Sequence, residues 1–224
     1  MVEYLTCNEK VLSSTLTFGS NSTSMENQLI FRYGTMGSAK SANLLITAYN
    51  LEEHGKYIIC LKPTIDNKVE SGFIRSRIDG IRRTCYSIGT DDDIADRVVG
   101  IVKAASVSMS RVVVFVDEAQ FLSGAQVDDL VKLVDLFGIT VICYGIRTSS
   151  AGKLFPGSAR LFEMADTLEE IESICDCGKK TVINAKILEN GLIEYFDETK
   201  IKIGENKKYK AMCRSCWNKG RVDK

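Results

Sequence analysis

The chain has 224 residues, room for one full domain and a small appendage, and its 45% hydrophobic and 26% charged residues are a globular balance that excludes a disordered or fibrous protein. Basic and acidic side chains number 29 each, so no net charge draws the chain toward nucleic acid or an anionic membrane. No apolar run approaches the ~18 residues of a membrane-spanning helix, and the start, MVEYLTCNEK, lacks the basic and apolar signature of an export signal, which predicts a cytoplasmic chain with reduced thiols.

Residues 1–27 are rich in Ser, Thr and Asn without a sustained period and read as a flexible N-terminal leader. From Gln28 an apolar run, LIFRY, leads into GTMGSAKS and then SANLLITAYNLEEHG, where Leu44, Leu45, Ala48 and Leu51 recur at helical spacing before Gly55. The order is strand, loop, helix, the context in which a P-loop pattern has meaning. Backbone amides of Gly34, Thr35, Met36, Gly37, Ser38 and Ala39 would curl around phosphates, Lys40 adds a mobile positive charge, and the Ser41 hydroxyl suits Mg²⁺. A Gly- and Ser-rich turn with an incidental lysine is the plainer alternative. Ala39 stands where a P-loop usually has its second Gly, and its methyl is expected to crowd the phosphates or strain a backbone angle that Gly tolerates.

YIICL, residues 57–61, reads as a second buried strand whose regular pairing ends at Lys62-Pro63. A loop with Asp66 follows, and Asp91, Asp92 and Asp93 mark the start of a helix reaching about Ser106. RVVVFVDEAQ is a central strand ending at two carboxylates. Asp117 is placed to hold a nucleotide's Mg²⁺, and Glu118 to accept a proton from an attacking hydroxyl; a solvated strand end is the bland alternative. AQVDDLVKLVDLFG is an amphipathic helix closed by Gly138, and TVICYG is another apolar strand. Apolar strands alternating with helices predict an α/β fold with a parallel sheet covered by helices on both faces.

Beyond about residue 170 helical periodicity fades. Cys175 and Cys177, then Cys213 and Cys216, form two close pairs with 35 residues between them. Four thiolates suit tetrahedral Zn²⁺ with no open position, so a structural metal in a small C-terminal lobe is expected; unpaired reduced thiols are the alternative. Cys7, Cys60, Cys85 and Cys143 stand alone.

The chain resembles the zinc-containing thymidine kinase family over about residues 26–219. The likeness rests on LIFRYGTMGSAKS, LKPTID, VVVFVDEAQFL, LFPGSARLFEMAD, the Cys175/Cys177 pair with CGKKTVINAKI, and IKIGENKKYKAMCRSCW, all in family order. The resemblance implies a P-loop NTPase-type α/β domain over residues 28–170 and a zinc-binding lasso domain with a basic tail over residues 171–224. It implies that ATP phosphorylates the 5′-hydroxyl of thymidine, with deoxyuridine a second substrate, in nucleotide salvage. Glu118 would be the base; Lys40 and Ser41 would serve ATP and Mg²⁺, with Asp66, Lys68, Asp117 and Gln120 beside them. Phe121, Met36 and Tyr209 would line the base pocket, and backbone of Lys200, Ile201, Lys202, Ile203 and Gly204 would read the base edge. Read from the residues alone, Phe121, Met36 and Tyr209 are ordinary core positions. The family also implies a homotetramer and feedback inhibition by thymidine triphosphate (dTTP).

This sequence departs from the family in four places. Besides Ala39, Lys68 replaces an Arg, Ser149-Ser150 stands where many relatives have an acid and an aromatic, and the lasso reads IGEN where IGG is common. Two other readings compete: a nucleic-acid-binding P-loop ATPase with a zinc ribbon, and a kinase homologue weakened at Ala39. Against the first stand the zero net charge and the lack of aromatics interleaved on a basic stripe.

Overall fold

The computed structural model describes residues 27–64, 72–77, 80–195 and 209–220. The expected leader, Asn27 apart, therefore lies outside the described residues, as do Asp66, Lys68 and the segment from Lys200 to Gly204.

A sheet of six parallel strands carries the larger part of the chain. Its strands are β1 (Leu29–Tyr33), β2 (Tyr57–Pro63), β5 (Tyr86–Ile88), β6 (Val112–Val116), β7 (Thr140–Gly145) and β8 (Thr167–Glu170), in the spatial order β5-β2-β6-β7-β1-β8. Every residue of β6 and β7 is buried, which is why VVVFV and TVICYG are apolar on both sides of the pleat and do not alternate. A short antiparallel pair, β3 (Phe73–Arg75) with β4 (Arg82–Thr84), sits outside this sheet.

The helices cover both faces. Leu44, Leu45 and Ala48 of α1 (Lys40–Glu53) pack with Cys60, Phe115 and Tyr144 on one face. On the other, α2 (Ile94–Ala105), α3 (Gly124–Asp135) and α4 (Pro156–Met164) bury residues such as Val98, Leu130 and Leu161 against β1, β2, β6 and β7. The helix starts follow from local chemistry: the Asp93 side chain accepts the Asp96 amide at 2.8 Å. Ser123 and Gln126 form a reciprocal capping box. None of the helices among the described residues is long and apolar enough to cross a membrane.

The sequence reading ends regular pairing of the second strand at Lys62-Pro63, but β2 runs through Pro63, whose register partner is Ile88. The β6 side of the ladder stops at Leu61 opposite Val116, so no central neighbour demands the amide that Pro lacks. Strands β3, β4, β5 and β8 escaped that reading because they are three or four residues long and not fully buried.

Past β8 lies a second sheet, antiparallel and small: β9 (Ile183–Ile187) between β10 (Ile193–Glu194) and β11 (Tyr209–Met212). A single turn of helix, α5 (Arg214–Trp217), follows. The core of this lobe is Cys175, Ala185, Ile193, Met212 and Cys213, with Tyr195 and Trp217 packed edge-to-face at 4.8 Å.

Candidate active site

The loop from Gly34 to Ser41 leaves the C-terminal end of β1 and opens α1, the end of a parallel sheet at which ligands bind. Gly34 is required by close approach: a Cβ there would lie 2.5 Å from the Ile171 carbonyl oxygen. The chain then turns left-handed twice, at Gly37 (φ 79°) and at Ala39 (φ 60°, ψ 25°). The strained angle expected at Ala39 is present, and the residue is exposed. No side chain caps the start of α1, so its first amides keep their capacity for an anion.

Lys40 Nζ donates to the Thr35 carbonyl at 2.6 Å and reaches the Gly34 carbonyl at 3.4 Å. Burial is the largest influence on this ammonium and brings it down from 10.5 to about 8, although Glu118 and Asp117 oppose the shift. A positive charge held in low dielectric, with no ion pair among the described residues, is suited to receive phosphate.

Two carboxylates close the end of β6. Asp117 is 4% exposed and accepts the Ser41 hydroxyl at 3.4 Å on each oxygen. Burial first, and the neighbouring Glu118 second, push its carboxyl up from 3.8 to about 6. A hydroxyl and a carboxylate paired in this way are the hard oxygen donors that Mg²⁺ takes. Glu118 has left-handed backbone (φ 55°, ψ 37°) and begins a 3₁₀ turn over Ala119–Phe121.

The orientation of Glu118 is set by a residue that the family resemblance puts beside the cofactor. Gln120 is 1% exposed. Its Oε1 accepts the Ile146 amide at 3.0 Å and its Nε2 donates to Glu118 Oε2 at 2.5 Å, so the first bond determines which end of the amide faces Glu118. Gly145 makes room for it, since a Cβ there would lie 2.8 Å from Gln120 Oε1. The end of β7 thus joins both halves of the site, because the Gly145 carbonyl also accepts the Gly34 amide at 3.2 Å.

Of the expected pocket residues, Phe121 is half-buried and packs edge-to-face on Phe155 with centroids 5.7 Å apart. Phe155 lay in LFPGSARLF without being singled out. Tyr209 opens β11 opposite Lys186, while Met36 stays with the P-loop, its amide donating to Asn184 Oδ1 of β9 at 2.7 Å. Ser150 is buried and Ser149 closes a tight turn, its amide donating to the Lys153 carbonyl at 2.8 Å.

Cys175, Cys177, Cys213 and Cys216 converge, with all four Sγ atoms within 4.8 Å of one another and Cys177 and Cys213 at 3.5 Å. Zn–S bonds of about 2.3 Å arranged tetrahedrally require sulfur separations of roughly 3.8 Å, so the donor set fits zinc in number, type and spacing. The Cys216 amide donates to Cys213 Sγ at 3.4 Å and is the main reason the Cys213 thiol falls to about 7.

A sequence profile described as thymidine kinase matches residues 27–217. The thymidine kinase of Enterobacteria phage T4 is 41% identical over 190 residues, covering 85% of this chain and 95% of that protein. The thymidine kinase of Streptococcus thermophilus strain CNRZ 1066 is 40% identical, covering 85% and 93%. That of Rhizobium meliloti is 37% identical, covering 86% and 96%. Among solved structures, a DnaB-like replicative helicase aligns over 64% of this chain and 48% of its own with a TM-score of 0.44 and 13% identity, too distant to bear on function.

Proposed function

The chain belongs to the thymidine kinase family, an ATP-dependent kinase that phosphorylates thymidine for salvage, and from that premise we propose how its residues divide the work. The amides of Gly37, Ala39, Lys40 and Ser41 and the Lys40 ammonium take the phosphates of ATP. Ser41 and Asp117 hold the Mg²⁺, which on binding neutralises charge on the phosphates. Glu118 accepts the proton of the thymidine 5′-hydroxyl as that oxygen attacks the γ-phosphorus, and ADP leaves in line. Gln120 acts as a positioning residue by holding one oxygen of Glu118, which aims the other toward the hydroxyl.

The observation that carries this reading is the Ser41–Asp117 contact. It joins residues 76 positions apart in sequence into one metal-binding corner, with Glu118 adjoining it. Phe121, Met36 and Tyr209 belong to the base pocket in this assignment, together with the segment from Lys200 to Gly204, while Asp66 and Lys68 serve ATP and Mg²⁺; these last two and the segment lie outside the described residues. An apolar, aromatic slot suits thymine and its methyl group, and deoxyuridine would fit with only modestly weaker binding. The four clustered cysteines bind one structural Zn²⁺. Cytoplasmic location, a homotetramer and inhibition by dTTP are taken from the family resemblance.

The direct test is conversion of thymidine to its monophosphate by the purified chain with ATP and Mg²⁺, beside Glu118→Ala. Turnover that collapses in the variant while nucleotide binding persists supports the assignment. Undiminished turnover in the variant removes Glu118 from the role of base.

A further inference from the structure

The P-loop is tied to the cysteine lobe by side chains with no part in the chemistry above. Asn184, 3% exposed, accepts the Met36 amide at 2.7 Å. Thr181, 2% exposed, shares a hydrogen bond of 2.7 Å with the hydroxyl of Thr35, itself buried, and donates to the Ser173 carbonyl at 3.1 Å. Nearby, Arg147 of the loop after β7 donates to the Val182 carbonyl at 3.2 Å. Three lobe residues of one short segment, 181, 182 and 184, therefore grip the catalytic edge of the parallel sheet.

These contacts fall where the loop is weakest on its own. Between Gly34 and Ala39 the loop is restrained from within by the Ser38 amide on the Thr35 carbonyl at 3.3 Å and by the contacts of Lys40 Nζ. When Lys40 turns to a phosphate, its 2.6 Å bond to the Thr35 carbonyl is given up, and the peptides around Thr35 and Met36 must be held by something else. Asn184 and Thr181 hold them from the far side. An acceptor on the Met36 amide points that N–H toward the lobe, and with the Ser38 amide on the Thr35 carbonyl it leaves the amides of Gly37, Ala39, Lys40 and Ser41 for the anion. A loop kept in its binding shape gives up less conformational freedom when the ligand arrives.

We propose that Asn184 and Thr181 are positioning residues of the phosphate loop, so that the antiparallel lobe builds half of the ATP site without touching ATP. The proposal rests on the reading of Gly34–Ser41 as the phosphate loop. It makes the lobe a determinant of nucleotide affinity as well as a cover for the nucleoside.

The test is the dissociation constant for ADP with Mg²⁺, measured by calorimetry without thymidine, for the parent chain, Asn184→Ala, Thr181→Val and Lys40→Ala. Loss of one buried hydrogen bond to the loop is expected to weaken ADP about tenfold in Asn184→Ala and a few-fold in Thr181→Val. Melting temperature and zinc content of each variant are read alongside, because a residue that only stabilised the lobe would lower these and leave ADP affinity unmoved well below the melting point. If Asn184→Ala does not fold, the nearly isosteric Thr181→Val decides alone. Unchanged ADP affinity in the folded variants, with Lys40→Ala weakened, overturns the proposal and spares the phosphate loop. Unchanged affinity in Lys40→Ala overturns the loop assignment beneath it.

Discussion

In the parallel sheet, β6 and β7 are buried along their whole length and two apolar clusters cover the two faces; among the described residues of the lobe, the core cluster is five buried residues, and two of those are cysteines. Buried apolar area stabilises the first at about 25 cal/mol per Å². The second has too little of it and depends on the convergence of four thiols. The surplus in the sheet is what permits its catalytic edge to be unfavourable: a buried carboxylate, a largely buried ammonium and two left-handed non-glycine residues, Ala39 and Glu118, sit there. The lobe holds no such reserve, and every change to its cluster should be felt at once.

The most damaging test of that contrast is Cys213→Ser, or chelation of the parent. A structural zinc contributes on the order of 10 kcal/mol to a small domain. The expected outcome is loss of the metal and rapid amide exchange in β9 and β11 while β6 and β7 keep their protection, read by hydrogen exchange with mass spectrometry. Simultaneous loss of protection in both sheets would mean that the two halves fold as one unit and the comparison is wrong.

Next in size is Glu118→Gln, which removes the base and keeps the shape. Turnover should fall by about 10²–10⁴-fold, with ADP affinity and melting temperature close to the parent's. Gln120→Leu, which cuts the tie to Glu118 and leaves the Ile146 amide without its acceptor, should reduce kcat by about tenfold. The parent's thymidine KM should be retained in it, as a steady-state assay would read.

How far the sequence alone reached follows from the range of each interaction. The P-loop and the VVVFVDEAQ strand end were legible because their chemistry is local: a glycine turn before a helix, and an apolar run stopped by acids. The paired cysteines were legible because thiols at close spacing have few other uses. The grip of Asn184 on Met36 and the bridge from Ile146 to Gln120 were not, since they join residues 148 and 26 positions apart. A lone Asn in the run VINAKI carries only a faint mark of such a role, as a polar residue at a strand position that turns out buried. Phe121 could be given to the base pocket only by resemblance, because a half-buried aromatic beside another looks the same in any core.

Asp117→Asn measures what the sheet gives up for function. The carboxyl is raised from 3.8 in its ordinary state to about 6 in the fold, so the folded chain holds this proton more tightly. Its stabilising contribution is full below the ordinary value and is lost as pH rises through about 6. An uncharged Asn avoids that loss. The variant should melt higher than the parent by about 2–6 °C at pH 7.5, converge with it near pH 4, and lose Mg²⁺-dependent turnover. A lower melting temperature at pH 7.5 would show that the Ser41 contact outweighs the cost of burying the charge. Lys40→Met should act in the same sense, since the ammonium is lowered from 10.5 to about 8: it stays mostly charged at neutral pH, and keeping that charge buried costs the fold stability.

The smallest change bears on the residue that looked most doubtful. Ala39 holds φ 60° and ψ 25° at the start of α1, a conformation that costs an L-residue about 1–2 kcal/mol. Glycine would remove that cost but add roughly 0.5–1 kcal/mol of freedom to the unfolded chain. The net for Ala39→Gly is a gain of about 0.5 kcal/mol, a rise of about 1–2 °C in melting temperature. Because Ala39 is exposed and its backbone already has the angle that Gly would take, ADP affinity should stay within about twofold of the parent. A tenfold tightening would mean instead that the methyl crowds the phosphates, and that part of the site's unfavourable energy is borne by the ligand and not by the sheet.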